Sequence, residues 1–156
     1  MRKPKIYLDT SVISHLYQPD NPDKMDETLA LWKDIVHGMY EVYISQVALN
    51  EISENDERKR LILLDYLSEI EYTLVSLSDE IRMYADKVVA EGILTAKRYD
   101  DCLHIGCAVI SQCHMILSWN FKHMVRVKTL NGVRSINAML GYHGIDIFPP
   151  NMIIER

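Results

Sequence analysis

No apolar run in this 156-residue chain approaches the roughly eighteen residues needed to span a bilayer, so a membrane-spanning helix is not expected. The basic start MRKPKIYLD regains charge before an apolar segment can form, which speaks against a secretory leader. Paired cysteines are missing too. Cys102, Cys107 and Cys113 are odd in number and clustered in one expected helix, a poor disulfide framework that points to reduced thiols and a cytoplasmic setting. Positive charge is in deficit: 17 Lys and Arg face 22 Asp and Glu, for a net charge of −5. A protein that coats nucleic acid non-specifically neutralises many phosphates, and this balance argues against that class. It leaves room for an enzyme that touches a few phosphates through a metal ion. Internal repeats, low-complexity stretches and linkers are absent as well.

What remains is an ordinary globular composition, 48% apolar and 25% charged, at a length suited to one domain over residues 1–156. Short apolar strands are expected at KIYL (5–8), EVYIS (41–45), YTLVSL (72–77), MILSW (115–119) and IDIFPP (145–150). Helical spacing fills the gaps between them. Met25, Leu29, Trp32, Ile35 and Val36 mark a helix over 23–37, and QVALNEISE a second. A third runs over 57–70 with Leu61, Leu64, Tyr66 and Leu67 on its apolar side, and Ser78 opens a fourth. RYDDCLHIGCAVI carries a fifth, from Tyr99 to about Cys113, and the last spans about 133–140. Strands alternating with helices predict an α/β fold, a twisted, mostly parallel sheet flanked by helices on both faces.

In an open parallel sheet, ligands bind beyond the carboxyl ends of the strands. Asp9 follows the first strand directly, and Asn120 lies just past MILSW. Glu51 sits in the helix after the second strand, while Asp100 and Asp101 stand at the entrance of an otherwise apolar helix. One fold can gather these acids. Two unit charges about 4 Å apart repel by roughly 4 kcal/mol at an effective dielectric near 20, so gathered carboxylates call for a proton or a cation. Oxygen-only ligands favour a hard ion such as Mg²⁺ or Mn²⁺, which can activate water and stabilise charge on a phosphoryl group.

At these residues the sequence resembles the PIN domain family. YLDTSV (7–12), Glu51 in ALNEI, DCLHIGCA (101–108), LSWNFKHM (117–124) and the tail INAMLGYHGIDIFPP are similar to its successive motifs over nearly the whole chain. The family comprises metal-dependent ribonucleases, among them the VapC toxins of bacterial toxin–antitoxin pairs. The resemblance implies that Asp9, Glu51 and Asp101 bind Mg²⁺ or Mn²⁺ and that Asn120 completes the site. The family often carries Asp at that fourth place, so an amide here suits one firmly held ion better than two. Thr10 or Ser11 would orient Asp9 or a bound water. An RNA substrate, a small antitoxin and a homodimer are the implied partners.

Each residue also has a plainer reading. Asp100 reads as a helix N-cap. Glu51 and Glu54, about one turn apart, could form an exposed pair. Cys102 and His104 diverge around the helix and no C-x-x-C exists, so a buried, hydrogen-bonded His104 is favoured over a zinc ligand. Lys122, His123, Arg126 and Lys128 form either a phosphate-contacting patch or a solvated helix face. The rival to the nuclease is a PIN fold without catalysis that serves as a binding or scaffold module, with Asn120 as the feature in its favour. A third reading is a phosphatase or DNA nuclease using the same acids.

Overall fold

The computed structural model describes residues 2–154. Lys5–Leu8 forms β1, Glu41–Ser45 β2, Thr73–Val75 β3, Met115–Leu117 β4 and Asp146–Phe148 β5. Every neighbouring pair is parallel, in the spatial order β3-β2-β1-β4-β5. Seven α-helices join them: α1 (Thr10–Ser14), α2 (Pro22–Val36), α3 (Gln46–Ser53), α4 (Glu57–Ser68), α5 (Asp79–Ala90), α6 (Tyr99–Ile110) and α7 (Val127–Leu140). None of the described helices is long and apolar enough to cross a membrane.

The strands read as apolar throughout because both faces of the sheet are covered. Side chains alternate across a strand, so Ile6, Leu8, Val42, Ile44 and Leu117 enter one buried cluster with Leu31, Trp32, Ile52 and Leu63 from the helices. Tyr7, Tyr43 and Ile116 point the other way, into a cluster with Tyr84, Val88, Ile105 and Val133. The α/β expectation holds.

Local signals set most boundaries. Ser45, Asp56 and Ser78 each accept a backbone N–H as the N-cap of α3, α4 and α5. Pro22 opens α2 behind its cap Asn21, where the missing N–H costs nothing.

Four expectations change. The N-cap position of α6 is Arg98, so Asp100 is not the cap; it lies exposed in the first turn, where its charge still suits the helix dipole. That helix ends at Ile110, short of Cys113. Helix α7 begins at Val127 rather than near 133. The Asn131-Gly132 pair inside it looks like a breaker, but Gly132 is a packing site: a Cβ there would stand 2.5 Å from Cγ1 of Ile93. On α4 the buried leucines are Leu63 and Leu67, and Leu61 and Leu64 face solvent, because four leucines in seven residues cannot share one face.

The order of the strands matters for function. From β1 the chain builds outward through β2 to β3, then returns to place β4 on the other side of β1. The switch point is the gap between β1 and β4, beyond whose carboxyl ends such folds hold their ligands.

Candidate active site

Asp9 leaves β1 at this switch point. Its N–H donates to the Leu117 carbonyl of β4 at 3.1 Å, which carries the ladder one residue past the strand. Asp9 is only 4% exposed. Its Oδ2 accepts the hydroxyls of Ser118 at 2.5 Å and Ser11 at 3.1 Å. The same two serines fix the segment after β4: Trp119 N–H donates to Ser11 Oγ at 2.9 Å and Asn120 N–H to Ser118 Oγ at 3.0 Å. The two hydroxyls, that of Ser118 buried and that of Ser11 partly so, thus tie the ends of β1 and β4 together and satisfy the buried Asp9 oxygen.

Glu51 reaches the same place from α3, which packs against both α1 and α6. Its Oε1 accepts from Thr10 Oγ1 at 3.1 Å and lies 2.9 Å from Nε2 of His104. The paired surface reading of Glu51 with Glu54 does not hold, since Glu54 is the C-cap of α3 and exposed. Asp101 enters from the first turn of α6 and is half-buried. His104 follows it by three residues and therefore lies on the same face of the helix.

His104 is the member that residue-by-residue reading did not assign to the site. It is buried, as expected, but among the acids. Tyr7 donates its hydroxyl to Ser45 Oγ at 2.7 Å, which leaves the phenol oxygen to accept from His104 Nδ1 at 2.6 Å. Nε2 faces Glu51 Oε1 at 2.9 Å, Thr10 Oγ1 at 3.1 Å and Asp9 Oδ1 at 3.6 Å. Donation from both ring nitrogens is the pattern of an imidazolium. Burial works against that charge, but the Glu51 hydrogen bond and the Asp9, Glu51 and Asp101 carboxylates outweigh it and raise the pKa of His104. Burial would likewise raise Glu51, and its bond to His104, the imidazole charge and the Thr10 hydroxyl reverse that and hold it below its ordinary value.

Asp101 has no such relief. Burial, then the charge of Asp9, lift its pKa to about 6, with Glu51 adding to the rise and His104 and Arg98 opposing it. No hydrogen bond reaches its carboxylate among the described residues. Burial beside like charge is the cause of such a rise, and acids perturbed in this way cluster at functional sites. The donors Asp9, Glu51 and Asp101 are all oxygens and fit a hard divalent ion in chemistry. They are not drawn together into a ligand set: among the described residues no group of three or more His, Cys, Asp or Glu has metal-holding geometry. In the arrangement seen, His104 is the group set against Glu51 and Asp9.

The remaining sequence candidates separate. Asn120 Oδ1 accepts the His123 N–H at 2.9 Å and so shapes the turn after β4. Arg126 is engaged with Thr129 Oγ1 at 3.1 Å and the Ile93 carbonyl at 3.5 Å. The ring of His123 is pushed below its ordinary pKa by burial and then by Arg98, Lys122 and Arg126, and its buried Nε2 has no hydrogen-bond partner among the described residues. Lys122 is exposed. Arg98, which sequence reading passed over, acts on both Asp101 and His123 and belongs to the rim. Cys102, Cys107 and Cys113 are buried, free thiols.

A family model described as PIN domain matches residues 6–122. No curated protein sequence matches the chain. Among solved structures, a chain in the crystal structure of VapBC2 from Rickettsia felis bound to a DNA fragment from their promoter is similar, with a TM-score of 0.51 and 17% identity over 76% of this chain and 89% of that one. At that identity the likeness concerns the fold.

Proposed function

This chain belongs to the PIN domain family, and from that premise we propose that residues 1–156 act as one metal-dependent endoribonuclease domain, its site the group of acids beyond the carboxyl ends of β1 and β4. Domains of this family are generally nucleases. The observation that carries the reading is Asp101, an acid raised to about 6 beside Asp9 and Glu51 at the switch point of the sheet.

Asp9, Glu51 and Asp101 would hold Mg²⁺ or Mn²⁺. The bound ion would activate water and neutralise charge on the phosphoryl group during hydrolysis. The rest falls to the protein. Ser11 and Ser118 fix one oxygen of Asp9 and leave Oδ1 facing His104 at 3.6 Å. Thr10 and His104 orient Glu51. Asn120 holds the turn that carries Lys122 and His123 along the rim, and Lys122 and Arg98 meet the phosphates of the RNA.

The toxin role is part of the same proposal: a small antitoxin would block the acidic pocket, and two copies of the chain would pair. The VapBC2 complex supports it only by likeness of fold.

The test is incubation of a mixed total-RNA pool with Mn²⁺ and either native protein or Asp101→Asn, with new ends mapped by sequencing. New ends that require both the metal and Asp101 are expected. No new ends from native protein, or equal cleavage by the variant, would overturn the assignment.

A further inference from the structure

We propose that Phe121, backed by Trp119 and Lys24, is a platform on which an unpaired base of the RNA stacks beside the acidic pocket. The proposal rests on the ribonuclease reading above and adds to it a residue that selects single strands.

Phe121 sits one residue past Asn120 and is 49% exposed, an apolar side chain that folding leaves partly uncovered. Behind it Trp119 is buried and pinned, its indole N–H donating to Thr28 Oγ1 at 2.8 Å. The two ring centroids are 6.3 Å apart and tilted by 50°. Lys24 Nζ lies 5.3 Å from the Phe121 centroid and 5.6 Å from that of Trp119. The imidazole of His15 packs against Trp119 at 6.1 Å between centroids and feels the charges of both Lys24 and Lys59.

An exposed ring with an ammonium group beside it is what proteins use to hold single strands: the ring stacks a base and the cation takes an adjoining phosphate. The platform is also fixed relative to the chemistry. The backbone N–H of Trp119 is held by Ser11 and that of Asn120 by Ser118, and both hydroxyls also donate to Asp9 Oδ2. Two hydrogen-bonded paths, each through a serine hydroxyl, therefore connect the carboxylate to the segment that carries Phe121. The acids repel a phosphate chain, so cations are needed on the flanks of the pocket. Lys24 lies at the aromatic flank and Arg98 close to Asp101. A base within a duplex has both faces covered by its neighbours and cannot use the ring.

The experiment measures binding rather than cleavage. In protein carrying Asp101→Asn, the affinity of a labelled single-stranded 12-nucleotide RNA of mixed sequence is compared with that of the same sequence as a blunt duplex. Phe121→Ala is expected to weaken the single strand by about tenfold or more, the effect of losing one stacked base. Phe121→Trp retains binding, and the duplex is indifferent to all variants. Phe121→Leu keeps apolar bulk without a π face and should lose affinity as Ala does, which separates stacking from support of the turn. A 5-iodouridine-substituted strand should cross-link to Phe121. Unchanged affinity in Phe121→Ala overturns the platform. So does an unchanged affinity accompanied by a shift in oligomeric state, which would make Phe121 a protein-contact residue. If native protein cuts no RNA yet binding still depends on Phe121, the nuclease reading fails and the platform stands.

Discussion

His104 Nε2 lies 2.9 Å from Glu51 Oε1 and 3.6 Å from Asp9 Oδ1, so one buried imidazole is set against acids delivered by two different elements. Removing it leaves those acids without their positive neighbour. His104→Ala should destabilise the metal-free protein by about 3–5 kcal/mol, the usual cost of stripping one partner from a buried pair. Urea unfolding measures this. Mn²⁺ should restore part of the loss, because it supplies the missing charge. A variant as stable as native protein would show that His104 merely fills space.

Asp101 gives a pH dependence of definite sign. Its folded pKa is raised to about 6 from an ordinary 3.8, so the native state favours the protonated acid. The stability tied to that proton is fully present below about 3.8 and is lost as pH rises through 6. In metal-free protein Asp101→Asn should therefore be more stable than native at pH 7.5, by about 1–2 kcal/mol once partial exposure is allowed for. That is a few degrees in Tm for a chain of this size. The gap should narrow as pH falls through 6 and close only near 3.8. A gap that widens toward acid pH would contradict the assignment.

Ser118 carries two loads, donating to Asp9 Oδ2 and accepting from the Asn120 N–H. Ser118→Ala frees the carboxylate to rotate. Groups that orient a metal ligand from behind typically cost about 10–100-fold in affinity or activity when removed. Mn²⁺ dependence of RNA cleavage should show this loss with the fold intact by circular dichroism.

The thiols should be silent. Cys102 and Cys113 are pushed to about 12 and Cys107 to about 11, burial being the first cause in each. Thiolate is the reactive form. A thiol reagent at pH 8 should find none of the three in native protein and all three in denaturant. Reaction of Cys102 or Cys107 in the native state would show that α6 opens.

The parts of this fold legible in the sequence are those set by local chemistry. KIYL and EVYIS are strands as their apolar runs predict, and Ser78 caps the helix it precedes. Asp9 and Asn120 were legible as strand-end residues because that needs only the end of an apolar run. What escaped depends on approaches between distant segments. Gly132 inside α7 makes sense only when Ile93, from 39 positions away, lies against it. His104 joins the site because Tyr7, 97 residues distant, turns its hydroxyl across the sheet. Its spacing of three from Asp101 was the available signal. Ser118, a small polar residue ending an apolar strand, was another.

The most direct measurement is a calorimetric titration of Mn²⁺ into metal-free native protein and into Asp9→Asn. If Asp9, Glu51 and Asp101 are gathered for a cation, native protein takes up the ion at a saturable site and the variant binds it far more weakly. Equal heats from both proteins, or none from either, would mean that the acids are held together by His104 alone and that the pocket is no metal site.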